Sequence, residues 1–148
     1  MQISIINRKA RFDYEILETV EAGIELAGTE VKSIRAGKVS LRDSFARIRR
    51  GELYLFGADI SPYENAGYAA HDPKRPRRLL VHAREIVRLA GKVSEKGLTL
   101  VPLKMYFKRG WAKVQIGLAR GKRQYDKREA IRKKETQRDI KRALARRR

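Results

Sequence analysis

The chain has 148 residues, enough for one domain with a single core and not comfortably two, and its 36 Lys and Arg against 17 Asp and Glu give a formal net charge of +19. A charge of that size makes a polyanion, either nucleic acid or an anionic membrane surface, the default partner. There is no cysteine, so disulfides, thiolate chemistry and a metal site are not expected; no apolar run approaches the ~18 residues of a membrane span and no signal-peptide core opens the chain, so a soluble cytoplasmic protein without cofactor is expected.

Ile3 to Ile6 is a short apolar start, followed by the basic cluster Asn7-Arg8-Lys9-Ala10-Arg11. Phe12 to Val20 alternates as a strand, with Tyr14, Ile16 and Glu18 on one face and Leu17 and Val20 less regularly placed. Glu21-Ala22-Gly23 interrupts the alternation, as a turn or as a bulge in a bent strand that Ile24 and Leu26 continue. Gly28 opens a helix over Thr29 to Ala36, with Val31 and Ile34 inward, Lys32 and Arg35 on a flank, and Gly37 at the C-terminal cap. Val39 to Leu41 reads as a short strand, and Phe45 to Arg49 and Leu53 to Ile60 as two strands about an Arg50-Gly51 turn.

Ser61 to Arg78 holds Pro62, Pro73 and Pro76 with Lys74, Arg75, Arg77 and Arg78, and reads as a long functional or mobile loop. Leu79 to Val81 is a short apolar run. His82 to Val93 carries Ile86, Leu89, Ala90 and Val93 at helical spacing, with Arg84, Arg88 and Lys92 outward. Leu98 to Phe107 is the clearest strand: Leu103, Met105 and Phe107 alternate with Lys104, Tyr106 and Lys108, and Pro102 marks a bulge or an edge. After Lys108-Arg109-Gly110 the chain returns, with Val114, Ile116 and Leu118 on one face and Lys113 and Gln115 on the other. Short strands, Gly-containing turns and two helices predict a mainly β fold, a small barrel decorated by helices. One sheet face is then basic and partly aromatic, suited to RNA or simply solvated.

Arg120 to Arg148 holds 14 basic and 4 acidic residues. Its apolar residues share no continuous face, since Ile131 and Ile140 fall on opposite sides of a helix, so the free tail is expected to be disordered. Its residues are nevertheless good helix formers, with Asp126 and Glu129 at capping-box spacing and Gly121 as a hinge before them. Phosphates that neutralise its charge can fold it; a solubilising tail with no docking site is the alternative.

No enzyme constellation can be assembled. His71 and His82 make neither H-E-x-x-H nor a His–Cys pairing, and Gly117 to Arg123 has the wrong glycine spacing for a phosphate loop. Asp13, Glu15 and Glu18 do not share one strand face and read as surface ion-pair partners.

Several stretches, in order, together resemble one family. They are Asn7-Arg8-Lys9-Ala10-Arg11, Glu21-Ala22-Gly23, Glu30-Val31-Lys32-Ser33-Ile34-Arg35-Ala36-Gly37, Leu55-Phe56-Gly57-Ala58, Asp72-Pro73, Arg78-Leu79-Leu80 and Gly121-Lys122-Arg123-Gln124-Tyr125-Asp126-Lys127-Arg128. The chain is similar to the SsrA-binding proteins (small protein B), partners of transfer-messenger RNA in trans-translation. The resemblance implies an oligonucleotide-binding-type β-barrel, closed or partly open, with two or three flanking helices over residues 1–119, and a basic tail over 120–148. It implies binding to the tRNA-like domain of that RNA and delivery, with the elongation factor that carries aminoacyl-tRNA, to stalled ribosomes. There the tail would lie as a helix in the empty mRNA channel, against small-subunit rRNA near the decoding centre.

Carried over by position, the resemblance implies RNA contacts at Asn7, Glu21 and Lys113, with Arg8, Lys9, Arg11, Lys32 and Arg35 nearby. Ribosome contacts would fall on Gly121, Lys122, Arg123, Tyr125, Asp126, Lys127 and Arg128. Tyr125 stands where many members have histidine, preserving stacking but not titration near neutral pH. A ribosomal structural protein and a general RNA chaperone are the alternative readings. If the tail folds on arrival, its amide spectrum in the free protein shows a disordered segment. Tyr125→Ala, removing stacking of ~1–3 kcal/mol, and Asp126→Ala, removing a cap of ~0.5–2 kcal/mol, leave RNA binding intact and impair tagging on stalled ribosomes. A rigid free tail helix, or tagging indifferent to message in the channel, contradicts this.

Overall fold

The structure, a computed structural model, describes residues 4–62 and 72–122. Its elements are β1 (Ser4–Ile6), α1 (Arg8–Asp13), β2 (Tyr14–Ile24), α2 (Gly28–Arg35), β3 (Val39–Ser40), β4 (Phe45–Arg49), β5 (Glu52–Phe56), β6 (Asp59–Ile60), β7 (Arg77–Leu80), α3 (Ala83–Lys96), β8 (Thr99–Lys108) and β9 (Trp111–Gly121). The sheet runs β1-β8-β4-β5-β7-β2-β9, and β8 also pairs with β9, which bends it into a partly closed barrel. Two seams are thin: β4 meets β8 at Ala46↔Leu100, and β2 meets β7 at Gly23↔Leu80 and Ile24↔Leu79. The barrel is filled by Ala22, Leu53, Leu55, Leu79, Met105, Val114 and Ile116, with Ile34 of α2 and Leu89 of α3 packed into it. The mainly β barrel, with three helices among the described residues, is the expected architecture.

Both predicted helices are present, the first ending on the predicted glycine and the second on a glycine that the sequence reading did not single out. After α2, Gly37 takes φ 75°, and the amides of Gly37 and Lys38 bond back to Ile34 and Ser33 at 2.9 Å. α3 continues past Val93 to Lys96 and stops at Gly97, φ 61°. The Arg50-Gly51 and Arg109-Gly110 turns have φ of 53° and 75°, and 53° and 82°, the left-handed pair that a tight hairpin turn requires.

Other expectations are corrected. Glu21-Ala22-Gly23 is neither a turn nor the bulge; β2 runs straight through it. The irregularity lies upstream, where the register with β9 shifts between Ile16 and Glu18 and leaves Leu17 as the extra residue. The bulge at Pro102 is present as expected, with the shift between Pro102 and Lys104. It also splits the predicted Leu103, Met105, Phe107 face: Leu103 joins a small outer cluster with Ala10, Val101 and Ala119, whereas Met105 enters the barrel. Leu53 to Ile60 is two strands, because Gly57 at φ 79° breaks it and β6 turns away to pair with β3. The basic cluster after Asn7 is a helix, and β9 reaches Gly121, beyond the expected ends of the last strand at Leu118 and of the barrel at residue 119.

The largest correction is Arg77. It belongs to a strand and not to a loop, and both it and Glu30 are fully buried. Arg77 Nε donates to Glu30 Oε2 at 2.6 Å, Nη1 to the Ala58 carbonyl at 2.8 Å and Nη2 to the Pro73 carbonyl at 2.9 Å. Glu30 also accepts from the Ala27 amide at 2.8 Å, at the start of α2, and from Arg75. Burial pushes the Glu30 carboxyl up, but the bonds from Arg75, Ala27 and Arg77 outweigh it and hold the group below its ordinary value. Its contribution to stability is therefore present above the ordinary carboxylate range and is lost as pH falls through the depressed value. Arg77→Ala leaves Glu30 buried without its fully buried partner, and urea denaturation should show a loss of about 3–5 kcal/mol. A loss below about 1 kcal/mol would mean that the pair does not hold β7 in place.

Candidate nucleic-acid interface

Strands β2, β9 and β8 lie side by side, and their outer faces form one continuous surface in two halves. Toward the chain's exit, α1 covers it, resting Ala10 on Val101, Leu103 and Ala119, with Tyr14 and Ile16 alongside. Gly117 leaves the room that the Leu103 and Ile16 side chains fill in this patch: a Cβ there would meet Leu103 Cδ1 at 3.0 Å and Ile16 Cγ2 at 3.2 Å. Toward the β8–β9 hairpin the surface is uncovered. Cross-strand register there sets Glu21 against Gln115, Gln115 against Lys104, and Lys113 against Tyr106.

Glu21 and Lys113 therefore sit on one face although they are far apart in sequence. The Tyr106 hydroxyl donates to Glu21 Oε2, and Lys108 Nζ lies 3.5 Å from Glu21 Oε1. Lys104 Nζ stands 5.2 Å from the centroid of the Tyr106 ring. The Tyr106 hydrogen bond, then the Lys108 and Lys113 charges, outweigh partial desolvation and hold the Glu21 carboxyl below its ordinary value. Burial, with the adjacent carboxylate second, pushes the Tyr106 phenol up to about 12.

The α1 residues occupy the covered half. Arg8, Lys9 and Arg11 are exposed, with Lys9 Nζ 2.7 Å from Asp43 Oδ1. Asn7 differs: it is 6% exposed, its Nδ2 donates to the Pro102 carbonyl at 2.8 Å and the Leu41 carbonyl at 3.1 Å, and its Oδ1 accepts from the Ala10 amide at 3.3 Å. Its amide group is thus spent on capping α1 and pinning it to the barrel, which presents the basic neighbours. Lys32 and Arg35 are not on this face. They lie on α2, where the Arg35 guanidinium sits 4.7 Å from the centroid of Phe107. Lys122 Nζ donates to the Arg11 carbonyl at 3.1 Å, so the chain leaves the barrel beside α1. Gly121 closes β9 opposite Tyr14 and is part of the sheet, not a hinge outside it. Arg123, Tyr125, Asp126, Lys127 and Arg128 lie outside the described residues.

Among the described residues no cluster of His, Asp or Glu could hold a metal ion, and no helix is long and apolar enough to cross a membrane. Glu15 pairs with Arg120 at 2.7 Å and Glu18 with Lys92 at 2.6 Å and with Arg88, the ion-pair roles expected of them. Sequence reasoning noted Lys104, Tyr106 and Lys108 as one face but did not connect them to Glu21, because only the β2–β9 register does so.

The Tyr106–Glu21 bond has a pH signature. The phenol's folded value is raised, so its contribution to stability is complete below the ordinary tyrosine value of about 10. It is lost as pH rises through about 12. Phenolate absorbance, with Tyr106→Phe as reference, should show one tyrosine titrating near that upper value. Glu21→Gln should lower it without restoring the ordinary value, because burial remains. An unshifted phenol in the wild type rules the bond out.

The SmpB protein family model matches residues 4–146. An SsrA-binding protein of Gloeobacter violaceus is 59% identical over 145 residues, covering 98% of this chain and 95% of that protein. Those of Carboxydothermus hydrogenoformans and Synechococcus elongatus are each 63% identical, covering 93% and 95% of this chain and 93% and 92% of theirs. A solved structure described as "tmRNA-SmpB: a journey to the center of the bacterial ribosome" contains a chain 64% identical to this one, superposing with a TM-score of 0.68 over 80% of this chain and 83% of that one. With its barrel, its assembled outer face and near-full-length identity to these proteins, the chain belongs to the SmpB protein family.

Proposed function

We propose that this protein binds the tRNA-like domain of transfer-messenger RNA and delivers it to stalled ribosomes for trans-translation, acting in the cytoplasm as a binding protein and not as an enzyme. The observation that carries the reading is the convergence of Glu21 and Lys113 on one barrel face with the α1 basic cluster beside them, in a chain about 60% identical to SsrA-binding proteins. The division of labour follows from the chemistry. Arg8, Lys9, Arg11, Lys108 and Lys113 supply phosphate contacts that position the RNA, with Lys32 and Arg35 available at the barrel's end. Glu21 cannot contact phosphate; it accepts from a base amino group or a ribose 2′-hydroxyl and so discriminates. Asn7 acts indirectly, by holding α1.

The elongation factor that carries aminoacyl-tRNA is engaged through the RNA. The tail, which leaves the barrel at Lys122 beside the same face, reads the empty mRNA channel and decoding centre through Gly121, Lys122, Arg123, Tyr125, Asp126, Lys127 and Arg128. If helical from Lys127 to Arg148 it would extend about 33 Å at ~1.5 Å per residue.

A chain ending at Lys122 keeps the whole of β9 and removes 12 basic and 4 acidic residues. In gel shifts at two salt concentrations it should retain specific binding to the tRNA-like domain, with a shallower salt dependence, while tagging on stalled ribosomes is lost. In the full chain, Glu21→Gln should weaken binding with little change in Tm. Loss of specific binding by a folded truncated chain would place recognition in the tail and overturn the reading. Equal binding to unrelated structured RNAs favours the chaperone, and co-sedimentation with every ribosome favours the structural protein.

A further inference from the structure

Trp111 is the sole tryptophan of the chain and is 73% exposed. Its place in the register says which face it is on. It opens β9 opposite Lys108 and has the same parity as Lys113 and Gln115, so it stands on the outer face that carries Tyr106 and Glu21. The turn that leads into it is tight, with Arg109 and Gly110 both left-handed, which fixes the strand position from which the indole projects. Lys108 links the two sides of the site: its backbone lies opposite Trp111, and its ammonium reaches Glu21 Oε1 at 3.5 Å. Tyr106 holds the other carboxylate oxygen, so the orientation of Glu21 is set from within the protein. On the far side of Glu21 and Lys113 a groove of about 470 Å³ opens toward Leu80 and His82, within the range of small-ligand pockets.

An exposed indole, two lysines and a fixed carboxylate on one rigid sheet are the complementary groups for one unpaired nucleotide. The indole offers a π-face to a base. The ammonium groups suit the phosphate, and the carboxylate oxygen accepts from an amino or hydroxyl donor. A scattered apolar surface residue needs no explanation, but this one sits at the rim of a polar constellation whose other members have complementary roles. We propose that Trp111 is the stacking residue of this interface: an unpaired nucleotide of the bound RNA lays its base on the indole, with Lys108 and Lys113 at its phosphate and Glu21, positioned by Tyr106, accepting from its amino or 2′-hydroxyl group. The proposal rests on the RNA-binding reading and adds to it the residue that grips the nucleotide.

Because the tryptophan is unique, its emission reports on this position alone. Titrating the full chain with a transcript of the tRNA-like domain should quench that emission and shield it from iodide. Trp111→Ala should weaken binding about 5- to 150-fold, the range typical of one lost stack, while Trp111→Phe retains most of the affinity. Since the side chain is exposed, Tm should be unchanged in both. If Trp111→Ala binds as the wild type does, or the wild-type emission stays accessible to iodide in the complex, the stacking role is wrong. Glu21→Gln and Lys113→Ala separate the two possible failures. Normal binding by both would show that the face itself does not hold the RNA, and the stacking role falls with it. Weakened binding by both, beside normal binding by Trp111→Ala, keeps the face and removes only the stack.

Discussion

The buried ion pair between Glu30 and Arg77 is the constraint on which the barrel's shape depends. Two opposite charges, each fully buried, are tolerated in the interior only when nearly every hydrogen-bonding group has a partner. Here the partners come from four places: the start of α2, the carbonyl of Ala58 between β5 and β6, the turn at Asp72 and Pro73, and β7 itself. β7 is the short strand that joins β5 to β2, so the pair secures the thin seam there and with it the side of the barrel that carries Glu21. Such a pair adds little net stability compared with apolar residues of the same volume. It favours one arrangement, because a shifted β7 would take Arg77 away from the groups that now satisfy both charges.

The outer face is shaped by two bulges on either side of β9, at Leu17 in β2 and Leu103 in β8. Each shifts the alternation by one residue, so the same strand serves the outer surface differently before and after the shift. On the exit side of the bulges the outward residues are Tyr14, Ile16, Val101 and Leu103, an apolar patch that α1 covers. On the hairpin side they are Glu21, Lys104, Tyr106 and Lys108, which stay open. One sheet thereby supplies both the platform for the basic helix and the polar site beside it.

The ion pairs around the face have a positioning role more than a stabilising one. Exposed pairs such as Lys9 with Asp43 and Glu15 with Arg120 add little to stability, because solvent screens them. Their effect is on direction: the carboxylates hold cations at fixed places in a chain of net charge +19. Attraction from that net charge favours a polyanion at the surface, and in the proposed function the few fixed acceptors distinguish one RNA from another.

Local chemistry was enough to determine part of this protein. The periodicity of Ile86, Leu89, Ala90 and Val93, the Gly37 cap after α2, and the Arg-Gly hairpin turns act within a few residues of themselves, so the sequence alone located α2, α3 and the β8–β9 hairpin. The basic clusters and Glu21 were also legible, through their resemblance to a known family. Only the tertiary structure decided the rest. Arg77 reads like its neighbours Arg75 and Arg78 until Glu30, 47 positions away, is set against it. Asn7 reads as one more polar residue in a basic cluster until the carbonyls of Leu41 and Pro102 arrive to bind it. Tyr106 meets Glu21 only through the pairing of β2, β9 and β8. Helix periods, caps and turns are carried by neighbours along the chain, whereas the partner of a buried charge and the face of a bulged strand are set by residues that only folding brings together.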